Sequence, residues 1–172
     1  MNTKNITKKS FARMEMLRKL VKFQPPKNDL KQVYIAYIRS LLEQSCTVWN
    51  SSLTLENSND LERVQKVALK IILKENYINY KHALKTLELE TLQSRREHLC
   101  LKFAQKCLKN PRMSQLFPPN NKQHIMKTRE SEHFKVNHAN TNRLQQSPIL
   151  YMQNLLNNEV KRKKQEELQW NI

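Results

Sequence analysis

Glycine is absent from all 172 residues of the sequence. Glycine ordinarily supplies positive-φ turns, phosphate-cradling loops and helix C-caps. A P-loop and a dinucleotide-binding fingerprint both require it, so both are excluded. A fold of tight hairpins is disfavoured for the same reason. Asparagine is abundant and can cover some left-handed turn positions, so helix ends are not excluded. Aspartate is nearly missing too, with only Asp29 and Asp60 in the sequence. Metal-assisted phosphoryl transfer needs converging carboxylates. Each of these two aspartates precedes an expected helix, where capping accounts for it. The chain therefore reads as non-enzymatic, with no catalytic residue, cofactor, metal or small-molecule substrate expected.

Cysteine is scarce and poorly spaced. Cys46, Cys100 and Cys107 are odd in number and contain no CxxC pair. Neither a disulfide scaffold nor a zinc site is expected, and a reducing compartment, nucleus or cytoplasm, is the easier fit. His82, His98, His124, His133 and His138 show no HExxH spacing and read as surface or loop residues. No apolar run approaches a membrane span, and "MNTKNITKKS" has no apolar signal core behind it.

Positive charge is what the sequence has in excess. Lys and Arg number 31 against 15 Asp and Glu, a formal net charge of +16. Such an imbalance favours a polyanionic partner, nucleic acid before an anionic membrane surface.

Hydrophobic periodicity predicts an all-α fold. A first helix covers Ile6 to Val21, with Phe11, Met14, Leu17, Leu20 and Val21 on one side. The tandem prolines of "FQPPKND" break it. A second helix starts near Leu30, capped by Asp29, with Val33, Tyr34, Tyr37, Ile38, Leu41 and Leu42 as its stripe. "SSLTLENSND" reads as a connection to a helix over Leu61–Leu73. In that helix Leu61, Val64, Ala68, Ile71 and Ile72 turn inward, and Glu62, Arg63, Gln65, Lys66 and Lys70 cover the outside. A short helix follows from Asn79 to Leu87. A longer one spans Leu92 to Leu108, with Leu92, Leu99, Phe103 and Leu108 inward. From Asn120 to Ser147 the texture is polar and aperiodic, apart from a short extended piece at Phe134 and Val136. Ser147 and Pro148 then fit the start of a last helix with Ile149, Met152, Leu155 and Leu156 on its face. The expected organisation is a helical bundle over 1–113, a loosely packed arm over 114–147, and a C-terminal helix with a basic tail over 148–172.

The densest pattern, "LEQSCTVWNSSLTLENSNDLERVQKVALKIIL", joins Cys46 and Trp49 within one helical turn. No histidine lies nearby to activate the thiol, so both residues read as packing. Three basic patches carry the functional signal. The first contains Lys8, Lys9, Arg13, Arg18, Lys19 and Lys22. The second contains Arg95, Arg96, Lys102 and Lys106. The third is "KRKK" at 161–164, which also suits a nuclear import signal. Such patches suit phosphate backbones, and tyrosines among Tyr34, Tyr37, Tyr77 and Tyr80 suit base stacking wherever they are exposed.

"LRKL" (Leu17–Leu20), "VYIAYIRSLLEQSCTVWNSSLT" (Val33–Thr54), "LERVQKVALKIIL" and "LKTLELETLQSRREHLCLKFAQKCLKNPR" (Leu84–Arg112) occur in an order that resembles a known region. It is the segment beyond the polymerase core in non-LTR retrotransposon reverse transcriptases of the jockey and CR1 type. "NHANTNRLQQSPILYMQNLLN" is similar to the end of that region, so the resemblance covers Met14 to Asn157. Trp49, Arg63, Gln65, Arg95 and Arg96 match the family pattern. The glycines or basic residues that the family places after "LRKL" and "KIIL" do not. The resemblance implies a thumb-like, non-catalytic module that helps hold RNA template and primer duplex beside a separate polymerase core. The fingers, palm and catalytic aspartates of such a polymerase are not in this sequence. Two other readings stand beside it: a helical protein-interaction module or inert remnant, and a truncated part of a complete reverse transcriptase.

Overall fold

The computed structural model describes residues 3–119, 133–136 and 138–170, with side chains at 167, 168 and 170 left aside. The fold is all-α, and among the described residues the one β-type pairing is an isolated bridge between Pro119 and Phe134. The chain forms two compact units. The first comprises residues 1–46 and 53–96, and the second comprises 47–52 and 97–172. The division falls inside the helix expected at Leu92–Leu108, in place of a boundary at Met113. Within that helix the buried Leu92 and Arg96 belong to the first unit, and Cys100, Ala104 and Cys107 to the second.

In the first unit, α1 (Thr3–Val21) packs along α5 (Leu55–Leu73). The two run parallel. Thr3 Oγ1 hydrogen-bonds Asn57 Oδ1 at 2.7 Å at their starts, and Lys74 Nζ donates to the Val21 carbonyl at 3.2 Å at their ends. Met14, Leu17, Leu61, Val64, Ala68 and Leu69 are fully buried. Each of the larger ones contributes roughly 2 kcal/mol by leaving water. α5 begins six residues earlier than its apolar pattern suggests. Thr54 caps it by accepting from the Asn57 N–H, so Asp60 lies inside the helix and caps nothing. Asp29 is not a cap either: α2 (Lys27–Val33) starts after Pro26, and Asp29 sits in its first turn, where a carboxylate suits the helix dipole.

α2 continues without a break through a π-helical stretch, Tyr34–Arg39, into α3 (Ser40–Glu43). The inward residues Leu30, Tyr34, Ile38 and Leu42 are spaced by four. A pure α-helix would rotate such a series steadily off one face. The wider π turns hold it in line, and Tyr37 lies off that line, 41 % exposed. α6 (Tyr80–Thr86) starts where Asn79 accepts from the His82 N–H and packs on α5.

In the second unit, α4 (Cys46–Trp49) and a 3₁₀ turn (Asn50–Ser52) contribute Trp49 to the interior. α7 (Leu92–Leu108) buries Cys100, Ala104 and Cys107 from residue 97 onward. Phe103, expected inward, is 39 % exposed, because the small residues at 100, 104 and 107 already form the closest-packed stripe. α8 (Asn142–Gln145) leads to α9 (Pro148–Trp170), whose Met152 and Leu156 complete a cluster with the α7 residues and Phe117. Ser147 receives the Leu150 N–H at the start of α9, as expected. The basic tail stays helical to Trp170. The arm is fastened where it is described: Phe134 exchanges two hydrogen bonds with the Asn157 side chain at 2.7 and 3.1 Å. Within the expected arm, 120–132 and 137 lie outside the described residues.

Among the described residues the left-handed positions fall on Gln24, Ser45, Lys74 and Glu88, with φ between 49° and 54°, and none of these is asparagine. All four follow helix ends, where the chain must reverse whether or not a permissive residue is present.

Candidate nucleic-acid interface

α1 is amphipathic in the simplest way. One side carries Met14, Leu17 and Val21 into the core. On the other, Lys4, Lys8, Arg18, Lys19 and Lys22 fall within about 100° of helix circumference and about 27 Å of length. All are exposed. Arg18 is paired with Glu15. Lys4, Lys8, Lys19 and Lys22 make no ion pair among the described residues, nor does Lys9 at the edge of the stripe. Arg13 lies further round. Its Nη1 donates to the Tyr37 carbonyl at 2.7 Å, and its guanidinium sits 4.7 Å from the centre of the Tyr37 ring.

Arg95 and Arg96 require correction as candidate phosphate contacts. Arg96 is 1 % exposed and donates to Ser58 Oγ at 2.9 Å. It occupies the buried stripe between Leu92 and Cys100, at the spacing a core position would have. Arg95 holds Glu43 Oε1 at 2.5 Å, and Arg39 approaches the same oxygen at 3.4 Å. Burial lowers the pKa of Arg39, and Glu43 works against that. These arginines brace the first unit: Arg96 is buried, and Arg95, half-buried, is held by Glu43.

A polar network missed by the sequence reading lies beside them. Tyr34 donates to Gln65 Oε1 at 2.6 Å. Gln65 Nε2 donates to the Tyr80 hydroxyl at 3.0 Å and to the Glu90 carbonyl at 2.8 Å. Tyr80 donates to Glu62, whose Oε1 also accepts the Leu92 N–H at 3.2 Å. Burial pushes both phenols above their ordinary range, and at Tyr80 the Glu62 hydrogen bond adds to it. Gln65 is interior, not exterior as expected. The signal was present, since Gln65 sits on the 61, 65, 68, 72 stripe of α5. Of the four tyrosines considered for stacking, Tyr34 is fully buried, Tyr77 and Tyr80 are half-buried, and Tyr37 is exposed.

In the second unit Lys102 and Lys106 are exposed on the outer face of α7, followed by Lys109. On α9, Arg162 pairs with Glu166 and Lys163 with Glu159. Burial alone would raise the pKa of Glu159. Hydrogen bonds from Gln105 and Lys163, with the charges of Lys163 and Arg162, outweigh it and hold the carboxyl below its ordinary range. Burial pushes the Cys107 thiol up, away from reactivity. Among the described residues no three metal-ligating side chains converge, and no helix is long and apolar enough to cross a membrane. No protein family, curated protein or solved structure matches the chain.

Proposed function

We propose that the chain is a non-catalytic nucleic-acid-binding module that docks on phosphate backbone through the outer face of α1. In this reading it is the thumb-like part of a retroelement RNA-directed DNA polymerase. It acts in the nucleus or cytoplasm and contacts RNA or an RNA–DNA hybrid beside a polymerase core carried elsewhere. The observation that carries the proposal is the row of exposed lysines on α1 that make no ion pair among the described residues, the acid on that face, Glu15, being paired with Arg18. Charges already paired are partly neutralised, whereas these are available to displace counterions from a polyanion. The contact set is Lys4, Lys8, Lys9, Lys19 and Lys22, with Lys102 and Lys106 as a separate group on the second unit. Arg95 and Arg96 are left out because their partners lie within the protein.

Titration against single-stranded RNA, duplex DNA and an RNA–DNA hybrid at several salt concentrations tests it. Changing Lys8, Lys19 and Lys22 together to alanine is expected to lower affinity about 30-fold and to flatten the salt slope by about 2 to 3. A folded, monomeric sample that binds none of the three at low salt would overturn the proposal and leave a helical protein-interaction module.

A further inference from the structure

We infer that Tyr37, braced by Arg13, is a stacking platform for one unpaired base, so that the module prefers a duplex with a single-stranded extension over a blunt one. The inference rests on the phosphate-docking reading and adds the ligand's form. Three observations meet at this point. Tyr37 is 41 % exposed, although its position in the sequence belongs to an apolar stripe. It lies within the π-helical stretch, and such turns are frequent at functional sites. Arg13 lies 4.7 Å from the ring centre and is tied to the carbonyl of the same residue at 2.7 Å.

The ring is therefore held in one orientation before any ligand arrives, which lowers the entropic cost of stacking. The guanidinium adds positive charge beside a stacked base and its phosphate. Lys9, one turn before Arg13 on α1, is exposed and makes no ion pair among the described residues, so a backbone phosphate has a cation within reach. The nearest acid on α1, Glu15, is engaged by Arg18. A phosphate-lined approach ending at an aromatic face suits a nucleotide with a free base better than a continuous duplex, whose bases are already stacked.

The test compares a blunt RNA–DNA hybrid with the same hybrid bearing a short single-stranded extension. It uses the full chain and the variants Tyr37→Leu and Tyr37→Phe, each checked for helicity and melting temperature. The extension is expected to tighten wild-type binding about tenfold. Tyr37→Leu should erase that gain and leave the blunt affinity and salt slope unchanged, while Tyr37→Phe should keep it. Photo-cross-linking of 5-iodouridine in the extension to the wild-type chain gives a second readout that does not depend on variant folding, with Tyr37 as the expected adduct. Equal affinity for blunt and extended hybrids, or an adduct confined to another residue, overturns the inference while steep salt dependence leaves phosphate docking standing. Absence of binding to every nucleic acid overturns both.

Discussion

In the first unit a glutamine, a tyrosine and an arginine lie among the aliphatic side chains, whereas the second closes around Cys100, Ala104, Cys107, Phe117, Met152 and Leu156. Each unit nevertheless buries one glutamine, and the two are used differently. Gln65 spends its whole amide: the oxygen accepts from Tyr34, and the nitrogen donates to Tyr80 and to the Glu90 carbonyl. Gln153 donates once, to the Leu116 carbonyl at 2.9 Å, and its Oε1 finds no hydrogen-bond partner among the described residues. A satisfied buried network fixes one arrangement of its elements, while a half-satisfied group costs stability for little gain. Gln65→Leu is therefore expected to cost about 3 kcal/mol, because it strands several buried groups, and Gln153→Leu less than about 1 kcal/mol. Urea unfolding measures both, and equal losses would erase the distinction between the two interiors.

The arginines sharpen the same contrast. Glu43 is shared by Arg39 and Arg95, with only 13 % of its side chain exposed. Its counterpart Glu159 is as sheltered, 14 % exposed, but its one ion-pair partner among the described residues, Lys163, is 63 % exposed. Removing the shared carboxylate leaves two cations facing each other. Glu43→Ala is expected to cost about 2 to 3 kcal/mol, and Glu159→Ala about 1 kcal/mol or less. Hydrogen exchange read separately on α5 and α9 assigns each loss to its unit. A loss from Glu43→Ala that appears in α9 alone would count against this assignment.

Much of this was legible in the sequence. The helix class, the proline break after α1, the Asn79 and Ser147 starts and the span of α7 all follow from local rules. What escaped detection were polar residues on apolar stripes. Gln65 and Arg96 have the spacing of core residues, but their chemistry reads as surface, and only the partners supplied by other helices make burial affordable. The basic patches shared this ambiguity. Composition counts charge, whereas availability depends on which acid has folded against it. That separates Lys8 and Lys19 from Arg95, Arg96 and most of the α9 tail. The π-helical turn left no local trace, because it arises from keeping every fourth residue on one face.

The units are also expected to fail at opposite ends of the pH range. In the first, the pKa values of Tyr34 and Tyr80 are raised in the folded state. The stability they contribute is full below the ordinary tyrosine range, near pH 10, and is lost as pH rises beyond it. In the second, the pKa of Glu159 is lowered by folding. Its contribution is full above the ordinary carboxylate range and declines as pH falls below about 4.5. Exchange protection followed from pH 3 to 11 should weaken first in α9 on the acid side and first in α5 on the alkaline side. Glu159→Gln should flatten the acid limb alone. Simultaneous loss in both units at each extreme would contradict the separate origins of the two effects.

The smallest expected effect concerns the missing glycine. At the end of α6 the Leu89 N–H bonds the Leu84 carbonyl at 2.9 Å and the Glu88 N–H bonds the Lys85 carbonyl at 3.2 Å. This pair of bonds is the helix-ending motif that places a left-handed residue, usually glycine, between them. Here Glu88 occupies that place at φ 50°. Its side chain is 87 % exposed and touches Lys31 at 3.7 Å, an ion pair that contributes little. The backbone term should dominate, so Glu88→Gly is expected to stabilise the first unit by about 1 kcal/mol. Glu88→Ala retains the β-carbon clash, loses the ion pair and should gain nothing. The difference in melting temperature between these two variants isolates the steric term. If glycine and alanine behave alike, the left-handed turn carries no strain, and the absence of glycine costs this chain less than its helix ends suggest.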